Sequence, residues 1–199
     1  MASISLKNKS KSGNLTAPGD VDPGAMIPIA TSTVSSATAT VTFSSIPQNY
    51  EHLQIRFLAQ SNRASANSGD YFSVRFNSDS GSNYNLGHQL LGNGSSASSY
   101  ANGNNGTSLL IERITNYESV ANAFTAGITD ILDYTNTNKY KTVRSLLGYD
   151  TNSAYGQVNF ASGLWMSTAA ISSISISMVS AQHTQYSTFA LYGIKKAGV

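Results

Sequence analysis

Three histidines, ten carboxylates and a few loop oxygens are the groups in this 199-residue chain that could do acid–base or metal chemistry. His52, His88 and His183 lie far apart and in no ligand spacing, so no zinc set is read from them. Glu51 stands beside His52, but neighbours on a strand point to opposite faces. Asp130 and Asp133 share one predicted strand at an odd separation. That parts them onto opposite faces and removes the obvious carboxylate pair for glycoside cleavage. The period count turns Asp130 inward unless a bulge shifts it. Asp70, Asp79 and Asp150 fall at predicted strand ends, where turn chemistry accounts for them. The oxygens of Asp79, Ser80, Asn83 and Asn85 are the one loop set that could ligate calcium, in loose spacing and without an EF-hand pattern.

Nucleophiles and phosphate cradles are equally sparse. There is no cysteine, hence no thiolate, disulfide or thiolate metal site. No G-x-S-x-G elbow occurs. Gly92-Asn93-Gly94 runs on into Ser95-Ser96 rather than into Gly-Lys-Thr and a helix, so it is not a phosphate loop. Asn8, Asn14, Asn93 and Asn105 head N-x-S/T triplets of the kind that chance supplies in a chain rich in Asn and Ser. A glycan depolymerase would need closely placed carboxylates, and the three glutamates are scattered. The expectation is a protein that is not an enzyme and takes no cofactor or metal. Aromatics are the remaining lever: eleven tyrosines stand against one tryptophan. Tyr84 and Tyr100 fall in or beside polar loops, where they could stack on sugar rings while amides bind hydroxyls. The alternative is that they cap the edges of a sandwich with the phenol in water. Trp165, on an alternating strand, reads as core or subunit interface.

The elements that must carry these residues are strands. Val41 and Phe43 alternate with Thr40 and Thr42 up to Pro47. Leu53, Ile55 and Phe57 share one face of a run, as do Phe72, Val74 and Phe76, and near the end Ile174, Ile176 and Met178. Period two over such runs means half-buried strands. Further strands are predicted at 84–91, 107–114, 123–134, 139–149, 155–167, 172–180 and 186–195. Phe124, Ala126, Ile128, Asp130 and Leu132 share one face of the third of these. One helical turn is admitted around 44–51 or 167–171. Residues 61–70 and 92–106 read as the two long polar loops. Roughly ten strands with Gly/Asn/Ser turns predict an all-β sandwich or barrel.

The character of the chain changes near residue 38. Residues 1–37 hold little to bury, and residues 1–30 carry Pro18, Pro23 and Pro28, three of the four prolines. This stretch is expected to be an extended N-terminal arm, ordered against a partner, in front of a body at 38–199. Lys7, Lys9 and Lys11 put three positive charges in the first twelve residues, while the other 187 carry nine basic and ten acidic groups. A short basic arm suits an acidic protein groove, a phosphate backbone or simply solvent. A protein dock is expected here, with no nucleic acid. No apolar stretch approaches a membrane span, and the start lacks the apolar run of a signal peptide. Charged residues are only 11% of the chain. Ser, Thr, Asn and Gly fill the gap at roughly two-fifths of it. Many copies of such a chain can pack closely with little mutual repulsion.

Several segments resemble a family of structural proteins of tailed bacteriophages, mostly from marine and cyanobacterial viruses. They are Ile27-Pro28-Ile29-Ala30, Val41-Thr42-Phe43-Ser44-Ser45-Ile46-Pro47, Tyr50-Glu51-His52-Leu53-Gln54-Ile55-Arg56, Phe76-Asn77-Ser78-Asp79-Ser80-Gly81-Ser82-Asn83-Tyr84 and Leu191-Tyr192-Gly193-Ile194-Lys195. The resemblance implies a jelly-roll virion protein on the capsid surface, as decoration or cement, or in the tail. It also implies the major capsid protein or other virion proteins as partners, and a homotrimer as the common assembly. On this reading the arm residues Lys7, Lys9, Lys11, Pro18, Pro23 and Pro28 dock on the particle. The alternative is a tail or fibre component that binds host glycan through Tyr84, Tyr100 and the 92–106 loop.

Overall fold

A computed structural model describes residues 25–64, 69–85, 87–101, 103, 105–116, 121–152 and 156–196. Among these residues thirteen strands follow one another: β1 Met26–Thr33, β2 Thr40–Phe43, β3 His52–Ala59, β4 Asp70–Phe76, β5 Tyr84–Asn85, β6 His88–Asn93, β7 Ser96–Ala101, β8 Leu109–Ile114, β9 Thr125–Ile131, β10 Lys141–Asp150, β11 Gly156–Trp165, β12 Ile174–Met178 and β13 Thr188–Ile194. The 44–51 and 167–171 stretches are irregular and form no helical turn.

The strands make two antiparallel sheets packed as a sandwich. The larger runs β1-β13-β3-β9-β10-β11-β6-β7, with β5 pairing β11, and the smaller runs β2-β12-β4-β8. The pairs β2 with β12, β3 with β9, β4 with β8 and β6 with β7 are nested in sequence like one long hairpin. The chain crosses from sheet to sheet as that hairpin rolls up, which is jelly-roll winding. The β10–β11 hairpin is inserted between β9 and β6, and β13 with β1 extends the other side of β3.

The alternating runs bury the residues that their period predicts. Leu53, Ile55 and Phe57 meet Phe72, Val74 and Phe76, with Ile174, Ile176 and Phe189 closing the core. Phe57 stacks on Phe72 with ring centroids 4.7 Å apart, an arrangement that adds to the area each ring buries. Trp165 lies in the core and not at a subunit interface, stacked near Tyr84 at 6.2 Å.

Three differences from the sequence reading stand out. Met26–Thr33, inside the stretch expected to be an arm, is a strand paired along its length with β13, and Ile29 packs against the core. Its neighbour supplies the partner that its own alternation does not advertise. Pro28 sits in this edge strand where the register shifts between Pro28 and Ala30; an edge strand with a bulge is where a residue without an N–H is tolerated. Second, the expected 92–106 loop is mostly a hairpin, β6 and β7, turning at Gly94-Ser95 with Gly94 at φ 73°. A glycine at the first of two turn positions is what such tight hairpins need. Third, Asp130 faces outward, while Thr125, Thr129 and Ile131 turn inward.

Candidate functional site

The expected docking residues Lys7, Lys9, Lys11, Pro18 and Pro23 lie outside the described residues. Pro28 belongs to β1. Tyr84 is not a surface residue: it is fully buried. Its hydroxyl accepts the Phe76 N–H at 3.0 Å and faces the Phe76 and Asp79 carbonyls at 3.3 Å. Burial pushes its pKa up to about 12. The glycan role expected for Tyr84 is therefore withdrawn, because its phenol is sealed under the turn that the sequence presented as an open loop. Tyr100 lies on β7 opposite Gln89.

The carboxylate of Asp79, the head of the calcium-like loop, is already filled. It accepts from the Gly81 N–H at 2.8 Å, the Asn83 amide at 2.9 Å and the Trp165 indole at 2.8 Å. The Asn83 and Trp165 hydrogen bonds hold its pKa below 3.8. This is a turn pinned to the core rather than an open set of ligands.

Glu51, His52 and Asp133 do come together, with one ligand atom of each within 4.8 Å of the others. Strand alternation does not separate the first two because Glu51 precedes β3. The trio could offer a nitrogen and two carboxylates to a divalent cation. However, His52 Nδ1 already accepts the Asp133 N–H at 3.0 Å, and Lys139 pairs with Asp133 Oδ2 at 2.7 Å. Above these groups opens a polar cleft of about 610 Å³ bordered by Gln48, Asn49, Tyr50, Glu51, Asn136 and Lys195.

Ser61, Asp70 and His183 supply the residue types of a nucleophilic triad, yet not its wiring. Ser61 donates directly to Asp70 Oδ2 at 2.8 Å, and His183 Nε2 donates to the Ile176 carbonyl at 3.0 Å. All three are fully buried. A triad needs the imidazole between serine and carboxylate and a substrate within reach of the serine; this arrangement ties loops together instead.

The feature that sequence reasoning missed is the outer face of the large sheet. Ile128, Leu146, Phe160 and Leu90 stand opposite one another in register across β9, β10, β11 and β6. With Leu58 and Val158 in the adjoining row, they are 38–58% exposed. Beneath them the inward row is Thr129, Ser145, Ala161 and Gln89, all buried. Asn159 is buried as well, and the side-chain amide nitrogens of Gln89 and Asn159 find no partner among the described residues. Along this row the usual pattern is inverted, with amides and hydroxyls inside and aliphatic and aromatic groups in water, while Ile131, Val143 and Leu147 on the same strands stay apolar and buried. The sequence signal was available in Leu90-Leu91, Leu146-Leu147 and Val158-Asn159-Phe160, where period two allows either face to be the outer one.

The relief of this face is uneven. Ala126 and Gly148, opposite each other, leave a depression of about 620 Å³ walled by Leu58, Ile128, Leu146 and Val158. The Ile128–Leu146–Phe160 ridge separates it from a smaller hollow of about 270 Å³ floored by Gln54, Asp130 and Arg144. Beside the ridge Arg144 meets Asp130 at 2.9 Å, Asp130 also accepts from Gln54 at 2.8 Å, and Arg56, opposite Ile128, donates to Gln54 Oε1 at 2.9 Å and lies over the Tyr192 ring.

Compared with known proteins, the chain matches no protein-family model, no curated protein and no solved structure.

Proposed function

We propose that this protein is a non-enzymatic structural subunit of a tailed-phage particle, and specifically a capsid decoration or cement protein held to the shell through residues at its N-terminus. The observation that carries this reading is the anchoring of β1. The stretch with least to bury leads directly into an edge strand that seven residue pairs tie to β13. Load on a docked N-terminal segment would pass into the rim of a rigid nine-stranded sheet. Extended segments gain affinity by backbone hydrogen bonds along a partner's sheet edge, and many weak contacts on one particle add through multivalency. Low charge and a jelly-roll body suit close packing of many copies.

The test is a deletion that respects the observed strand. Removing residues 2–24 should leave the sandwich folded and abolish binding to particles lacking this protein. Equal binding by the truncated chain would contradict the proposal.

A second reading, a tail component that binds host glycan, rests on the polar cleft beside Tyr50, since Tyr84 cannot serve it. Amide, carboxylate and ammonium groups around an aromatic edge are the chemistry that recognises sugar hydroxyls. Asn136→Ala and Tyr50→Ala variants should then lose adsorption to host cells; unchanged adsorption would exclude it.

A further inference from the structure

We infer that the outer face of the large sheet is an interface between two copies of this chain, packed face to face about a two-fold axis. Two observations on β9, β10, β11 and β6 point there independently. The first is the inversion of polarity: Leu90, Ile128, Leu146, Val158 and Phe160 face outward while Gln89 and Asn159 are buried with unpartnered amide nitrogens. An isolated sandwich gains nothing from that arrangement. It becomes favourable once the outer face is covered, because the exposed aliphatic and aromatic area then leaves water.

The second observation selects the occupant. An isologous contact requires one patch to carry both knob and hole. The Ile128–Leu146–Phe160 ridge runs directly alongside the depression over Ala126 and Gly148. A two-fold operation between them seats each ridge in the partner's depression. Sheets packed face to face meet in this way at a spacing of about 10 Å. The patch spans five strands, β3, β9, β10, β11 and β6; at about 4.8 Å spacing and about 20 Å of length they give an apolar centre on the order of 500 Å². With a polar rim from the flanking strands of the same sheet, the contact approaches the ~800 Å² per partner of a stable protein interface. Arg144 beside the ridge is paired with Asp130, and Arg56, opposite Ile128, is tied to Gln54 and lies over the Tyr192 ring, which leaves it at the rim of the contact. Residues 1–24 are a poorer occupant, because Ile4, Leu6, Leu15 and Val21 are too few and too scattered to fill the face. The trimer implied by the resemblance would need a contact between unlike surfaces, which this self-complementary relief does not call for.

The experiment is sedimentation equilibrium of the isolated full chain, beside Leu146→Asp and Phe160→Asp variants and a Tyr186→Asp control outside the face. Far-UV circular dichroism and thermal unfolding report folding, and both target positions are half-exposed, so the variants keep their fold. The wild type and Tyr186→Asp are expected at twice the chain mass, and Leu146→Asp and Phe160→Asp at the single mass with native spectra. A monomeric wild type at micromolar concentration overturns the inference, including the case in which it binds capsid protein through this face. A wild-type trimer, or a dimer that survives both substitutions, overturns it too. The measurement uses no particle, so it stands apart from the docking test of the N-terminal segment.

Discussion

Leu146 and Phe160 face each other across β10 and β11 on the solvent side of the sheet, while Leu147 and Asn159, the next pair along, face each other within it. A leucine and a phenylalanine in water over a buried asparagine is the reverse of what a free-standing strand pair needs. The pair marks the place where this protein's own core and its surroundings exchange roles. Filling the interior instead should tell the two apart: Asn159→Leu removes an unpartnered amide nitrogen. Replacing such a group with an apolar one of similar size is neutral to stabilising. Urea denaturation should show no loss of stability. A loss of more than about 1 kcal/mol would mean that the amide is engaged after all.

Tyr84 is a structural residue. Tyr84→Phe strips the hydroxyl from the Phe76 N–H and should cost about 1–3 kcal/mol, the penalty of a buried donor left unpaired. The same change should leave any glycan binding untouched. Denaturant unfolding and a glycan-binding assay on one preparation separate the two.

Lys141 is a fully buried ammonium that donates to the Asn136 carbonyl at 2.6 Å, the Lys139 carbonyl at 2.9 Å and the Thr168 carbonyl at 3.2 Å. Burial lowers its pKa. It bridges the β9–β10 connection to the segment after β11, with no carboxylate at ion-pair distance among the described residues and the Asp133 charge acting on it from farther away. Lys141→Met keeps the stem but leaves three carbonyls short of a donor. A loss of about 1–3 kcal/mol is expected, and hydrogen exchange should quicken at residues 136–139.

Stability should fall on acidification in two windows. His183 is buried and its pKa is lowered by desolvation, so the unfolded chain takes up its proton first. Its contribution is intact above about pH 6.5 and declines as pH falls below that value. Asp79, held low by Asn83 and Trp165, and Asp133, held low by Lys139, give contributions that are present above pH 3.8 and lost below it. Thermal unfolding of His183→Leu should lose the upper window and keep the lower. An unchanged upper window would remove His183 from the account.

Glycine positions separate by what lies beside them. A methyl group at Gly127 would fall inside the Phe57 ring, so Gly127→Ala should cost about 1–3 kcal/mol through overpacking. Gly94 has open space but φ 73°, and Gly94→Ala should cost about 1–2 kcal/mol from backbone conformation alone. Gly92 has open space and no such φ, so Gly92→Ala should change stability by less than about 0.5 kcal/mol. Melting temperatures ordered otherwise would contradict the packing described.

Much of the sandwich was legible in the sequence because its strands are short and half-buried. The runs around Leu53, Phe72 and Ile174 each place one apolar face inward, and the strands from β8 to β13 lie within their predicted ranges, save that β10 runs one residue past its own to Asp150. β1 was not legible, since Met26-Ile27-Pro28-Ile29 has no clean alternation and is fixed by a partner strand 160 residues away. β7, SASSYA, is nearly devoid of apolar side chains and exists because Gly94 turns the chain back onto β6. The outer apolar face escaped notice for another reason. Periodicity says which residues share a face but not which face is covered, and in β9 to β11 the covered face mixes Ile131, Val143, Leu147 and Trp165 with Thr129, Ser145 and Asn159. Glu51, His52 and Asp133 meet because antiparallel pairing sets the start of β3 beside the end of β9, which spacing along one strand cannot reveal.

The measurement that bears most directly on the central claim is cryo-electron microscopy of the source particle with this sandwich fitted into the map. The account predicts jelly-roll density on the outer shell, with chain running from the start of β1 across capsid subunits. Absence of the protein from the particle, or density with the N-terminal segment free of any contact, would contradict it.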